Sequence, residues 1–246
     1  MLGPLLGAGA TVAAVCAAGY QSMAPTGQWY GRTFTGLQRG SKQLALTYDD
    51  GPNDPHTFRL LEVLAKHDVK ATFFVVGRYV EQRPDIVRQV VAAGHVIGNH
   101  TFTHPNLALA SVVQNRIQFE ECQRAVREVT GETPRICRPP FGGRRPSTLR
   151  IARSLGLEPV MWNVTSYDWQ IPPAAQIVQT CLRQIRGGDV ILMHDGSHDE
   201  MGADRSQTVL ATGMLLERFQ AEGYALVKIP HMMQELAVSS QPSAVR

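Results

Sequence analysis

A chain of 246 residues, 43% hydrophobic and 18% charged, can bury a sizeable core and is too apolar for a disordered segment. Its formal net charge of +3 is spread along the chain with no Lys/Arg block, which leaves nucleic-acid binding without support. The first stretch, Met1 to Gly19, has no charged side chain and is rich in Leu, Ala, Val and Gly. Its length suits a signal-peptide core or an uncleaved membrane anchor, although the Lys/Arg that normally precede one are missing; a merely apolar leader is the alternative. Either export reading gives an extracytoplasmic, secreted or membrane-tethered protein. Residues 20–41 hold Gly, Pro, Ser, Thr and Gln with a few aromatics and read as a linker or irregular lead-in.

From there strand-like and helix-like segments alternate. Leu44 to Tyr48 is a short apolar run ending at Asp49 and Asp50, and residues 56–67 place Leu60, Leu61 and Leu64 at helical spacing. Ala71 to Val76 is strongly β-prone. Residues 84–93 are helical in pattern with Gly94 as C-cap, and His95 to Ile97 is a third strand entering Gly98-Asn99-His100. A long helix from Ser111 to Val129 follows, then a strand ending at Arg138-Pro139-Pro140, and a helix with Ser147 as N-cap. Pro159 to Val164 is the next strand, Ala174 to Ile185 a helix, and Val190 to Met193 a strand into His194-Asp195. A helix over Ser206 to Ala221 and a last strand, Ala225 to Ile229, complete about seven βα units. That alternation implies an α/β fold with a parallel sheet. At this length it favours a distorted, incomplete (β/α) barrel in a single domain over residues 42–236, with a flexible tail at 237–246. The four cysteines, Cys16, Cys122, Cys137 and Cys181, form no Cys-x-x-Cys pair, and the three in the body are expected as unpaired thiols.

The chemistry sits in two clusters. Thr47-Tyr48-Asp49-Asp50-Gly51-Pro52 is followed about fifty residues on by His100-Thr101-Phe102-Thr103-His104. One carboxylate and two imidazoles make the three protein ligands usual for catalytic zinc, with a carboxylate left over as a base. Adjacent Asp side chains at a strand end should point to opposite sides. Asp-Asp-Gly-Pro alone is more often a turn. The odds change because every polar cluster follows a strand candidate, and in a parallel barrel those points converge on one face.

With Arg138-Pro139-Pro140-Phe141-Gly142, Trp162 through Asp168-Trp169, and Ile191-Leu192-Met193-His194 added, the chain resembles the polysaccharide deacetylase family. These are metal-dependent carbohydrate esterases sharing the nodulation-factor deacetylase homology domain. The resemblance covers roughly residues 42–230 and touches five motifs in order. It implies that Asp50, His100 and His104 hold the metal, zinc or alternatively cobalt or nickel, and that Asp49 is the general base with Arg138 as its partner. By the same resemblance His194 is the general acid, held by Asp168, and the Phe141 amide helps bind the oxyanion. Phe102, Trp162, Trp169 and Leu192 would line the pocket. Two positions depart from the family pattern: Tyr48 stands where Phe is commoner, and Thr165 where an earlier Asp is frequent. His56, His95 and His198 match no ligand position and read as surface or structural. The resemblance implies removal of N-acetyl groups from N-acetylglucosamine-containing glycans, peptidoglycan or a chitooligosaccharide. Rival readings are an O-acetyl xylan esterase, a deformylase of a lipid-linked sugar, or a catalytically silent glycan-binding domain.

Overall fold

The computed structural model of the chain describes residues 14–239. Among these residues eight strands occur: β1 (Gln43–Gly51), β2 (Thr72–Val75), β3 (Val96–Asn99), β4 (Ile136–Cys137), β5 (Glu158–Pro159), β6 (Val164–Thr165), β7 (Val190–His194) and β8 (Ala225–Leu226). Every pairing between them is parallel, in the order β5-β4-β3-β2-β1-β7-β6, with β8 on the first two residues of β1. β5 and β6 end that order on opposite sides and do not pair, so the barrel stays open at one seam.

Alternation along the central strands builds two separate cores. Leu44, Leu46 and Tyr48 join Phe73, Val75, Ile191 and Met193 under the helices, packed with Leu60 and Leu64 of the helix His56–Lys66 and Leu215 of the helix Ser206–Ala221. Ala45 joins Phe74, Val190, Leu192, Val160, Met161 and Trp162 inside the barrel. Period two assigns each side chain to one core, and burying a Leu, Ile or Phe on either side is worth roughly 1.5–3 kcal/mol. Thr47 and Asp49 continue the interior face toward the C-terminal end of β1, where barrel sites are built.

Several elements differ from the sequence expectation. The expected strand Pro159 to Val164 is broken into β5 and β6, because residues 160–163 turn from one edge of the sheet to the other. The helix expected from Ser147 begins at Pro146, with Arg145 at the N-cap and the Arg145 amide donating to Thr148 Oγ1 at 3.2 Å. Proline at the first helical position needs no amide partner, which is why it can lead. The last strand is only Ala225–Leu226, and Ile229–Ser239 is helical, with Ile229 and Met232 closing the interior core. A short helix, Gly77–Gln82, lies between β2 and the helix Pro84–Ala92. Of the uncharged leader Met1 to Gly19, residues 1–13 lie outside the described residues, while residues 14–23 are helical. Residues 240–246 of the expected tail also lie outside them. Among the described residues no helix is long and apolar enough to cross a membrane. The lead-in packs on the barrel: Phe34 is buried and bridges to Val160, and Gly36 bridges to Asp189, across the open seam. Cys122, Cys137 and Cys181 are free and buried, and Cys16 is free and exposed.

Candidate active site

Asp49 and Asp50 do not point to opposite sides. Asp50 has a φ of 72°, and the pairing of β1 with β2 slips between Asp49 and Gly51. That left-handed residue turns the second carboxylate back toward the first, and both line one pocket. Thr101, His104 and Phe141 also have positive φ, 67°, 62° and 57°. Non-glycine residues in this region cost of order 1–3 kcal/mol each and collect where the surroundings fix them for function.

The His-x-x-x-His pair is carried by a braced loop rather than a helix. His100 follows β3, its amide donating to the Val75 carbonyl at 3.0 Å. Asn99 Oδ1 accepts from the Thr101 amide at 2.8 Å, and Gln118 Oε1 accepts from the amides of Phe102 and Thr103 at 3.0 and 2.8 Å. Gln118 belongs to the helix Val112–Thr130, so a helix distant in sequence sets the loop that presents both imidazoles. His100 Nδ1 lies 2.7 Å from the Arg138 carbonyl. A carbonyl only accepts, so Nδ1 carries the proton and, in the neutral ring, Nε2 presents its lone pair.

Asp50, His100 and His104, all buried, bring one ligating atom each within 4.8 Å of one another. Asp50 Oδ1 lies 3.4 Å from His100 Nε2 and 3.1 Å from His104 Nε2, yet it is buried without a hydrogen-bond partner among the described residues. For His100 this is lone pair facing lone pair, a contact that a cation between the atoms would turn from repulsive to favourable. Burial would by itself raise the Asp50 carboxyl, but the surrounding His100, His104 and His198 hold it well below the usual carboxylate range. Burial lowers His104, against the opposing pull of Asp50, which favours the neutral ring that ligates metal. A carboxylate and two imidazoles suit a divalent metal ion, and the residues fit such a group.

Arg138 is fully buried and spends its guanidinium on the site. Nη1 donates to Asp49 Oδ1 at 2.7 Å and to Thr47 Oγ1 at 2.8 Å, Nη2 to the Met161 carbonyl at 3.1 Å, and Nε to the Val160 carbonyl at 3.3 Å. The cation also lies over Phe74, 4.2 Å from the ring centroid. Burial lowers the guanidinium from its ordinary value and Asp49 opposes that; arginine stays charged nonetheless. Asp49 is therefore gripped by one oxygen, and its other, Oδ2, faces His100 Nε2 at 3.7 Å.

His194, the last residue of β7, donates from Nδ1 to Asp168 Oδ1 at 2.7 Å. Asp168 is buried and its oxygens also accept from the His194 amide, Ser166 Oγ and Thr208 Oγ1, each at 2.8 Å. Burial alone would lower His194, yet Asp168 beside it, with Asp50 and Asp49 beyond, pushes it up to about 9. A protonated imidazole held by a buried carboxylate can donate a proton from its remaining nitrogen.

The pocket, about 430 Å³, is lined by the two aspartates, the two ligand-type histidines, His194, Phe141, Trp162, Trp169 and Leu192, and by Ser197, His198, Asp199 and Arg205. Trp169 stands edge-on to His194 with ring centroids 5.3 Å apart. At Pro139–Gly143 the amides of Gly142 and Gly143 are spent on the turn, donating to the Pro139 and Pro140 carbonyls at 3.0 and 2.8 Å. Phe102 is not in the pocket; it packs into the outer core near Gly77, because the loop braced by Gln118 turns it away. Thr165 accepts from Trp162 Nε1 at 3.0 Å, so it fixes an indole of the pocket wall, and the Tyr48 hydroxyl meets Thr212 Oγ1 at 3.0 Å in the core. His56 and His95 are buried, His56 beside Asp204 at 3.5 Å and His95 accepting from the Ala71 amide at 3.0 Å. His198, read from sequence as surface or structural, lies in the pocket, stacked on His104 at 4.4 Å. Its place four residues after His194 is the only signal the sequence held, and spacing alone could not say that the loop folds back.

Residues 36–160 match the family profile described as polysaccharide deacetylase. A chitooligosaccharide deacetylase of Sinorhizobium fredii is 37% identical over 207 residues, covering 82% of this chain and 96% of that protein. The solved structure of the Bc1960 peptidoglycan N-acetylglucosamine deacetylase superposes with a TM-score of 0.76 at 33% identity, covering 82% of this chain and 92% of that one. BA3943, a CE4 family pseudoenzyme from Bacillus anthracis, superposes with a TM-score of 0.75 at 29% identity, covering 82% and 69%.

Proposed function

The chain belongs to the polysaccharide deacetylase family, and from that premise we propose that it hydrolyses N-acetyl groups from N-acetylglucosamine units of an extracytoplasmic glycan, peptidoglycan or a chitin-like oligosaccharide. The observation that carries this reading is one pocket holding a metal-ligand cluster, a carboxylate with one oxygen free of its arginine, and an imidazole oriented by a buried carboxylate. A pseudoenzyme shares the fold, so the fold alone carries no activity; these side chains do.

In this reading Asp50, His100 and His104 hold the metal, zinc in the first instance, with cobalt or nickel accepted by the same donors. When bound, the metal polarises the acetyl carbonyl and makes water a competent nucleophile near neutral pH. Asp49 takes the proton of the attacking water on the oxygen that Arg138 leaves free. Arg138 keeps that carboxylate fixed and paired through the reaction. The Phe141 amide donates to the oxyanion, a role that its side chain does not enter. His194 delivers a proton to the departing glucosamine nitrogen, and Asp168 orients the ring and stabilises its charged form. Trp169 and Leu192 provide the apolar wall against which a sugar face and the acetyl methyl rest. A leader over residues 1–19 would place this chemistry at the cell envelope.

Acetate release and mass spectrometry on peptidoglycan fragments, chitooligosaccharides and acetylated xylan, with and without chelator, test the proposal. N-acetylglucosamine glycans should lose acetyl groups, and chelation should abolish the reaction until zinc is restored. Asp49→Asn should lose roughly 10²–10⁴ in kcat/KM, the usual share of a general base, with metal content unchanged. Turnover of acetylated xylan alone, or wild-type activity in the Asn variant, would overturn it.

A further inference from the structure

Residues 196–205, between β7 and the helix Ser206–Ala221, carry a histidine onto the ligand cluster from outside the five motifs. The loop has little freedom. Asn53 Nδ2 donates to the carbonyls of Asp195 and Ala203 at 2.9 Å each, Asn53 Oδ1 accepts from the Gly202 amide at 2.7 Å, and Arg205 Nε donates to the Gly196 carbonyl at 2.7 Å. The carbonyl of His198 itself accepts from Arg78 Nη2, a group also hydrogen-bonded to the Tyr79 hydroxyl at 3.0 Å.

On that backbone the His198 ring stacks on His104, with centroids 4.4 Å apart and planes 24° apart, and meets Phe141 edge-on at 5.2 Å and 86°. Its Nδ1 lies 3.8 Å from Asp50 Oδ2 and its Nε2 3.5 Å from Asp199 Oδ1. The two oxygens of Asp50 are thus divided. His100 and His104 face Oδ1, and His198 faces Oδ2.

We propose that His198 is a positioning residue of the metal centre, restraining Asp50 Oδ2 so that the carboxylate offers the metal Oδ1 alone, and backing the ring of His104. The inference rests on the reading that Asp50, His100 and His104 hold the metal. At 3.8 Å the contact is electrostatic rather than a formed hydrogen bond. A buried carboxylate is sensitive to such a neighbour because little water competes for its second oxygen. Without it the Asp50 carboxylate would be free to rotate and to offer a bound metal both of its oxygens. Partners that orient metal ligands typically account for 10–100-fold in metal affinity.

The test is zinc affinity of the purified full chain by competition with a chelator, together with the visible spectrum of the cobalt-loaded protein. His198→Ala should bind zinc 10–100-fold more weakly and weaken the cobalt absorption bands as the coordination number rises. His198→Asn, which keeps an N–H donor near the Nδ1 position, should stay closer to wild type in both. Asp50→Ala serves as the control for the site itself. If Asp50→Ala loses zinc while both His198 variants keep the wild-type affinity and spectrum, the role of His198 is refuted and the metal site stands. If Asp50→Ala binds zinc as wild type does, the metal-site reading fails instead.

Discussion

At the scale of single residues, the pair His194 and Asp168 has the clearest consequence in solution. His194 is pushed up to about 9 in the folded protein, against about 6.5 in an unfolded chain. A group raised on folding contributes stability that is fully present below its unfolded value and is lost as pH climbs through the folded one. The metal-free protein should therefore lose thermal stability between about pH 6.5 and 9. Asp195, buried and pushed up to about 7, also costs stability as pH rises, but from about 4 to 7, so the windows barely overlap. Thermal scans of Asp168→Asn against the parent should show a lower Tm at pH 6 and a difference that shrinks toward pH 9.5; a pH-independent difference would contradict the assignment. Arg138 makes a second point about charge. Replacing it by Met leaves Asp49 buried without its partner, and breaking such a pair costs roughly 3–5 kcal/mol. Denaturant titration should find that loss, largely relieved by adding Asp49→Asn, because the double variant no longer buries an unpaired charge.

At the scale of elements, the end of β1 and the start of the loop after β7 touch too closely for side chains. A Cβ on Gly51 would sit 2.2 Å from Asp195 Oδ2, and one on Gly196 would sit 2.2 Å from the Asp50 carbonyl. Both glycines are required by approach rather than by turn conformation. Gly196→Ala must push the Asp50 backbone away, and overpacking of this kind costs about 1–3 kcal/mol. It should also weaken zinc binding, because the displaced residue is a proposed ligand. Chelator competition and a Tm measurement on the same sample read both effects. Unchanged zinc affinity would mean that the β1 end yields without moving the Asp50 carboxylate.

At the scale of the whole molecule, the open seam of the barrel and the lead-in belong together. Arg144, almost fully buried, donates from Nη1 to the Gly142 carbonyl at 2.9 Å and from Nη2 to the carbonyls of Ala24 and Gly27 at 2.7 Å each. Its amide donates to the Ser22 carbonyl at 2.9 Å. Arg144 thus ties residues 22–27 to the loop that carries Phe141, its side chain holding residues 24 and 27. Arg144→Met should lower stability by about 2–4 kcal/mol, from carbonyls that lose a charged donor, and expose the chain before Phe34 to limited proteolysis; a protease-resistant variant of wild-type stability would refute the strap. The sequence by itself determined the alternation of strands and helices, the parallel barrel and the five motif clusters at strand ends, since period-two and helical patterns and turn chemistry are local properties. It also offered Asp49, Asp50, His100 and His104 as a carboxylate and imidazole set suited to a metal, while Arg138, Asp168 and His194 entered through the resemblance to the family's motifs. It did not reveal that Asp50 turns back toward Asp49, that Phe102 leaves the pocket, that His198 enters it, or that the lead-in closes the seam. Those outcomes depend on contacts between residues far apart in the chain: Gln118 bracing the histidine loop, Asn53 pinning residues 195–203, and Arg144 gripping residues 24 and 27. Only the tertiary structure decides which distant hydrogen bonds a loop will satisfy, because a loop has no periodic pattern of its own to declare its partners.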